Sequence, residues 1–493
     1  MNQHMPKPLA LLLAGAGPHS VCGDPDVTIA SIAVDSRRAE PGALFVCLRG
    51  ARADGHDHAA QAVARGAVAV LAQRELEPVV QATIVRVPDT LAALSPIAAA
   101  LYDRPSESIA VVGVTGTNGK TTTAHFIEAI AAAGGSPFGI IGTLGARLGS
   151  SFEADLEHTT PFAHDLQRLL ARFRDERASG AVLEVSSHAL ALHRVDDVRF
   201  AAATFTNLTQ DHLDFHASID EYRAAKRALF EMTARYDGTA VLNADDPAWL
   251  DIGGSVPRRI TFGVGNDAAT LNATAVEHAK TGSVFFVKAV RPARFDIRLP
   301  GPFNVSNAMA AIATAVALDV DVEAIAEGLA SVTDVPGRMT SVAAGDVGVY
   351  VDYAHTPDGL LKVLTAARAL TGGRLICVFG CGGDRDPLKR PIMGRIARQV
   401  SDLAIITSDN PRFEDPEKII ADVLAGAQAA AGGEYEVIAD RSAAIERAVG
   451  IARPGDVVVI AGKGHEEYQL VRDERRPFSD VETARAAIEK VRA

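Results

Sequence analysis

Lys120, Thr121 and the glycines just before them are the side chains and backbone best suited to handle phosphate. They stand in Val111-Val112-Gly113-Val114-Thr115-Gly116-Thr117-Asn118-Gly119-Lys120-Thr121-Thr122-Thr123. A β-branched, apolar run leads into glycines, and a helix-forming segment follows from Ala124 to Ala133. Strand, tight loop and helix in that order predict a phosphate cradle. Glycines let backbone N–H groups approach phosphate oxygens closely, and the helix N-terminus adds its positive end. Lys120 would reach the β- and γ-phosphates, and the Thr121 hydroxyl would ligate Mg²⁺. Val114 stands where the strict P-loop pattern has a glycine, so the loop is the shorter Gly116-Thr117-Asn118-Gly119-Lys120-Thr121. A lone Gly-Lys-Thr would be a weak signal; the flanking strand and helix favour a nucleotide site over a structural turn.

Further along, Ala181-Val182-Leu183 is a strand running into Glu184-Val185-Ser186-Ser187-His188. A carboxylate beside the phosphate-loop strand is well placed to hold Mg²⁺. The loop Thr206–His216 comes after another strand and carries two histidines and two aspartates, a pattern for metal or phosphate work rather than a merely solvated loop. Lys226 lies on a helical segment, Ile219–Phe230, where a lone lysine reads as a solvated face. Asn304 opens an Ala-rich helix and reads as a cap; Asn307, one turn in, is less easily explained that way. Cys377 and Cys381 read as structural thiols, because no second ligand pair accompanies them.

These residues need several domains to position them. At 493 residues, the chain predicts about three. The boundaries fall at residues 1–104, 105–336 and 337–493, with linkers at Tyr102–Ser106 and Asp334–Arg338. The first is a small α/β domain with polar loops at Asp35-Ser36-Arg37 and Arg49–Gly55. The second holds the phosphate loop in a mononucleotide-binding sheet, and Leu271–Leu299 alternates like antiparallel ribbon. The third repeats strand, loop and helix. Its loops start at Asp352, Gly380, Ser408 and Gly462, which predicts a Rossmann-like doubly wound sheet with a ligand crevice at the strand ends. The whole is an α/β protein.

A net charge of −12 argues against nucleic acid as a partner, and any anionic ligand must be held by local cations. Four cysteines are too few for a disulfide framework and fit a reducing cytoplasm. The run Leu9–Ala14 after Lys7 is read as the first helix rather than a signal peptide, and no stretch is long enough for a membrane span.

Taken together, the loops resemble the Mur ligases of peptidoglycan synthesis, most closely the diaminopimelate-adding branch. The resemblance runs from Asp35-Ser36-Arg37 to Glu466, with Asp409-Asn410-Pro411-Arg412 and Gly462-Lys463-Gly464-His465-Glu466 its most specific parts. The phosphate loop alone is shared with folylpolyglutamate synthetases. The resemblance implies an ATP-dependent amide ligase acting on a UDP-N-acetylmuramoyl-dipeptide and meso-diaminopimelate, as a cytoplasmic monomer. It implies that Val34, Ser36, Ala51, Arg52 and Ala53 hold the uridine nucleotide, and that His158, Thr159, Thr160, Ser186 and Arg194 hold the muramoyl-dipeptide side. Gly116, Thr117, Asn118, Gly119, Lys120, Thr121 and Thr122 would bind ATP, with Asn304, Arg338 and Asp352 completing that site. Thr121 and Glu184 would ligate one Mg²⁺; His212 and Lys226, carbamylated by CO₂, would serve a second. Lys120, Glu184, His212 and Lys226 are the implied catalytic set.

Arg385, Asp409, Asn410, Pro411, Arg412, Gly462 and Glu466 would hold diaminopimelate. Arg412 offers a planar fork suited to the carboxylate that distinguishes this amine from L-lysine, unless it forms an ion pair with Glu414. Two positions depart from the family: His158 stands where relatives often have Asn, and Leu192 where some have a substrate-contacting Gln. Rival readings are a lysine-adding ligase, a folate-type ligase, a non-catalytic nucleotide-binding regulator and a switch GTPase.

Overall fold

The computed structural model describes residues 5–50, 53–76, 81–254, 256–279, 281–288, 293–343 and 346–492. Ala51 and Arg52 therefore lie outside the described residues.

The N-terminal part folds around a five-stranded sheet in which Ser31–Ala33, Ala43–Val46, Ala67–Ala72 and Thr83–Arg86 run parallel. The helix Leu9–Leu12 forms where the apolar run stands and buries Leu9 and Leu12. Parallel strands here are short apolar runs, as sheets covered on both faces require. The helix Thr90–Leu101 closes this part. The stretch after that helix is not a loose linker: Pro105 and Ser106 are buried, and Ser106 Oγ accepts a hydrogen bond from Arg199 N at 3.1 Å.

Eleven strands form the central sheet. Its parallel core runs Phe138–Gly142, Gly180–Glu184, Ala110–Thr115, Phe200–Phe205, Thr239–Asn243, Arg259–Val264 and Leu271–Ala279. The strand Ala110–Thr115 lies between Gly180–Glu184 and Phe200–Phe205, so the loops after all three meet at one edge. That is the switch-point crevice where such sheets bind ligands. The expected ribbon is real: Gly282–Lys288 pairs antiparallel with Leu271–Ala279 and Ala293–Ile297, extending the same sheet. Helices Lys120–Ala133, Phe303–Ala317 and Val322–Ser331 pack on one face, and Ala163–Asp175 and Ile219–Ala234 on the other.

A six-stranded sheet forms the C-terminal part, in the order Thr340–Ala343, Gly348–Asp352, Val457–Ala461, Leu375–Phe379, Leu403–Ile406 and Glu434–Val437. The outer strands Thr340–Ala343 and Glu434–Val437 and the hairpin Tyr468–Val471/Glu474–Pro477 carry no strong apolar pattern, and the sequence reading does not include them. The other strands are buried and parallel, and adjacency in the sheet brings all four predicted loops side by side. Among the described residues, no helix is long and apolar enough to cross a membrane.

Candidate active site

The phosphate loop is built for close approach. Gly116 and Gly119 have φ of +152° and +87°. A Cβ on Gly119 would lie 2.3 Å from Asn307 Oδ1, and one on Gly116 1.9 Å from Thr206 Oγ1. Lys120 opens the helix and folds back, donating to the carbonyls of Gly116 at 2.8 Å and Thr117 at 2.9 Å. Burial lowers its pKa from the usual lysine range.

Glu184 is the last residue of its strand, not one past it, and is 1 % exposed. Its Oε2 accepts from Thr121 Oγ1 at 3.0 Å and Thr143 Oγ1 at 3.2 Å, and its Oε1 from Thr143 N at 2.9 Å. Thr121, Thr143 and Glu184 thus form an all-oxygen cluster, the donor chemistry Mg²⁺ takes. Among the described residues no group of three or more His, Cys, Asp or Glu could hold a metal by itself. A cation here would rely on hydroxyls, a modified lysine and phosphate oxygens besides Glu184 and His212.

Lys226 is not on a solvated face. It is 1 % exposed, its Nζ donates to Gly116 O at 3.0 Å, and it lies 4.3 Å from the Tyr222 ring centroid. The helix Ile219–Ala234 buries Tyr222, Lys226, Leu229, Phe230 and Thr233 along one stripe, which places the amine beneath the phosphate loop. Desolvation, reinforced by Lys120, lowers its pKa far below the usual lysine range and favours the neutral amine. A neutral, enclosed amine is the form that adds CO₂, so Lys226 fits the carbamate. His212 has φ of +56°, and its ring sits 4.8 Å from that of His188. Burial drives the His212 pKa down to about 3 and that of His188 to about 4, which leaves neutral imidazoles able to ligate.

Asn304 is not the helix cap. The cap is Pro302, and Asn304 donates to Pro300 O at 2.7 Å while its Oδ1 accepts from Asn307 Nδ2 at 2.9 Å. Asn304 therefore orients Asn307 against Gly119. Arg338 crosses from the C-terminal side to donate to Thr121 Oγ1 at 2.8 Å. Asp352 ends its strand and accepts from Met339 N and Ala354 N, each at 2.8 Å. Asp358, which the sequence reading overlooks, accepts from Asn118 Nδ2 at 2.7 Å and joins the phosphate loop to the C-terminal part. It stands one residue beyond the loop Asp352–Pro357, and only tertiary packing reveals it. Asn118 also donates its N–H to Asn207 Oδ1 at 3.0 Å, and Thr122 is buried.

The residues expected to hold the muramoyl-dipeptide side gather around Thr160. Its Oγ1 donates to Glu184 O at 2.8 Å, and it accepts from Ser186 N at 3.1 Å. Arg194 donates to Thr160 O at 2.7 Å and stacks on Phe162, 4.2 Å from the ring centroid. Thr159 Oγ1 lies 3.2 Å from Thr143 Oγ1, and the His158 ring packs edge-on to Phe162. Leu192 caps the short helix Ser187–Ala191. Val34 and Ser36 come directly after the strand Ser31–Ala33; Ala53 lies in the loop after the neighbouring strand Ala43–Val46. Ser36 Oγ donates to Gln61 at 2.8 Å. Arg38 pairs with Glu157 across the two parts at 3.2 Å.

In the C-terminal crevice, the acceptors are fixed by a lysine that the sequence reading passes over. Lys463 is fully buried and donates to Asn410 Oδ1 at 2.9 Å and Glu466 Oε2 at 3.0 Å, with Asp409 Oδ1 at 3.8 Å. Its place inside the Gly462–Glu466 motif is the signal that could have found it. Gly462 must be glycine: φ is +121°, and a Cβ would lie 2.7 Å from Asp409 Oδ2. Pro411 is buried, and Arg412 comes next with φ of +52°. Arg412 does not pair with Glu414. Glu414 accepts from Arg390 at 2.8 and 2.9 Å, which leaves Arg412 bonded to Gly383 O at 2.8 Å and, among the described residues, without a carboxylate partner. Arg385 is exposed nearby. Cys377 and Cys381 are buried, and burial raises both thiol pKa values, that of Cys381 to about 12.

Three matches to known families cover most of the chain: the Mur ligase family, catalytic domain over residues 28–102, the Mur ligase middle domain over 114–315, and the Mur ligase, glutamate ligase domain over 337–464. A Syntrophomonas wolfei protein named UDP-N-acetylmuramoyl-L-alanyl-D-glutamate–2,6-diaminopimelate ligase is 47 % identical over 467 residues, covering 94 % of this chain and 95 % of that one. A Gloeobacter violaceus protein of the same name is 47 % identical over 475 residues, covering 95 % and 96 %. A solved structure bearing that name superimposes with a TM-score of 0.66 at 31 % identity, covering 96 % of this chain and 97 % of the other.

Proposed function

The chain belongs to the Mur ligase family, and from that premise we propose that it joins meso-2,6-diaminopimelate to UDP-N-acetylmuramoyl-L-alanyl-D-glutamate at the expense of ATP. This is an amide-forming step in the synthesis of peptidoglycan precursors. One observation supports the choice of amine above the others. Arg412 lacks a carboxylate partner among the described residues, while Asp409, Asn410 and Glu466 stand pre-oriented around Lys463. That set matches an amino acid whose far end carries both a carboxylate and an ammonium. Lysine would leave the Arg412 fork unpaired in an enclosed site, which is costly.

We assign the three units to residues 1–104, 105–336 and 337–493, binding the UDP moiety, ATP and the amino acid in turn. Val34, Ser36 and the loop through Ala53 receive the nucleotide of the UDP substrate; Thr159, Thr160, Ser186 and Arg194 orient its peptide. Thr121 and Glu184 would hold one Mg²⁺, and His212 with carbamylated Lys226 a second; bound there, the ions offset phosphate charge during transfer. The protein's own groups do the rest. Loop amides and Lys120 fix the ATP phosphates, and the crevice loops bring the amine to the activated carboxyl. In the first step the γ-carboxylate oxygen of D-glutamate attacks the γ-phosphorus, the bond to ADP breaks, and an acyl phosphate forms. In the second the amine nitrogen attacks the acyl carbon, the C–O bond breaks, phosphate leaves with the electron pair and takes the N–H proton, and the amide remains. We place the reaction in the cytoplasm and the enzyme as a monomer.

The test is phosphate release with the UDP-muramoyl dipeptide, diaminopimelate and ATP. Lys120→Ala and Glu184→Ala should each lower turnover by about 10²–10³, the usual cost of losing preorganised charge stabilisation, while the fold survives. Near-normal turnover in either variant would overturn the site assignment.

A further inference from the structure

The turn that carries Arg412 is held from outside the crevice by a hairpin that the reaction as described does not use. Arg412 sits in the left-handed region, with φ of +52°, where a non-glycine residue stays only when its surroundings enforce it. Both of its backbone groups are engaged. Its N–H donates to Leu470 O at 3.0 Å, and its carbonyl accepts from Arg472 N at 2.7 Å. Leu470 N donates in turn to Asn410 Oδ1 at 2.8 Å. The strand Tyr468–Val471 therefore pairs on one edge with Glu474–Pro477 and meets the Asn410–Arg412 turn on the other, where a parallel bridge joins Arg412 to Val471.

A two-stranded hairpin alone is only marginally stable in water. Here Glu474–Pro477 is exposed along its length, while Tyr468–Val471 is half-buried against the turn. Gln469 adds a side-chain tie between the two. It is half-buried, and its Nε2 donates to Asp409 O at 2.6 Å, with Ser408 Oγ at 3.5 Å. That bond fixes the peptide between Asp409 and Asn410, where the turn begins that ends at Arg412. Lys463 holds the Asn410 side chain from within the crevice at 2.9 Å, so the turn is gripped from both sides.

We propose that Gln469 is a positioning residue for the amine: its amide pins the Asp409–Arg412 turn to the hairpin and so aims the Arg412 guanidinium at the far carboxylate of diaminopimelate. The inference rests on the ligase reading above. Gln469 acts through Arg412 and makes no contact with the reacting atoms. A misplacement of about 1 Å in a group that orients a substrate can cost about 10²-fold, so one hydrogen bond on this turn carries weight.

The test compares the full-length unmutated chain with Gln469→Met, Gln469→Glu, Arg412→Ala and the double variant Arg412→Ala/Gln469→Met. It measures kcat, the KM values for ATP and diaminopimelate, and melting temperature. Gln469→Met keeps the length of the side chain and removes its donor. The expected result is a KM for diaminopimelate raised about tenfold, the effect of one lost hydrogen bond. The kcat and the KM for ATP should stay within about threefold, as for lost binding of one substrate. Gln469→Glu, which sets a carboxylate against the Asp409 carbonyl, should do at least as much. The double variant should fall within about threefold of Arg412→Ala alone, because Gln469 then has no fork left to aim. Wild-type KM for diaminopimelate in Gln469→Met or Gln469→Glu would overturn the proposal. So would losses that simply multiply in the double variant, or a lowered melting temperature with all kinetic values falling together, the mark of a merely structural role. An unmutated chain that uses L-lysine as well as diaminopimelate would overturn the reading of the amine, and this inference with it.

Discussion

The Lys226 amine is enclosed beneath the phosphate loop, 3.0 Å from the Gly116 carbonyl. Nothing in the segment Tyr222–Phe230 says so, because a helical stripe can face the core or solvent, and only the sheet above decides which. The same holds for Asp358, whose role depends on which loop of the other sheet it meets. Lys120, Thr121 and Glu184 were legible, because their spacing from a strand end is local and repeats the geometry that phosphate binding demands. At this scale we expect Lys226→Ala to lose at least about 10² in turnover and to regain part of it with a small added carboxylate. A variant working at wild-type rate would reduce Lys226 to a buried structural lysine.

The strand, loop and helix around Gly119 form the most constrained element. Its φ of +87° and the 2.3 Å separation from Asn307 Oδ1 leave no room for a side chain. Gly119→Ala should destabilise the central sheet by more than the roughly 1–2 kcal/mol of left-handed backbone strain, because the clash adds to it. It should also abolish nucleotide binding. Thermal unfolding and a nucleotide titration check both; an unchanged melting temperature would show that the loop can relax. Buried parallel strands such as Val457–Ala461 were legible as continuous apolar runs. The edge strands Thr340–Ala343 and Glu434–Val437 were not, because one face of each neighbours solvent and the alternation is short.

At the scale of the whole molecule, the two larger sheets touch through Asn118–Asp358 and Thr121–Arg338. Val335 packs in the central core, and Gly337 lies against Gly464 and His465 of the C-terminal crevice. The chain passes between the two bodies within Val335-Pro336-Gly337, so a hinge has little other place to sit. An acyl phosphate must be shielded from water before the amine attacks. We expect nucleotide and UDP substrate together to compact the protein in solution scattering, and identical profiles with and without both would count against closure. The inventory of loops was legible in the sequence, but their convergence was not, since it depends on strand order.

The identity of the amine decides between this ligase and its lysine-adding relatives. The decisive comparison is kcat/KM for meso-diaminopimelate and L-lysine with the unmutated chain, and again with Arg412→Ala. A site built around a polar partner can reject an analogue lacking it by ~10⁴ or more, and we expect a preference for diaminopimelate of that order. Arg412→Ala should shrink it, chiefly by weakening use of diaminopimelate. Equal use of lysine by the unmutated chain would contradict the assignment of the amine.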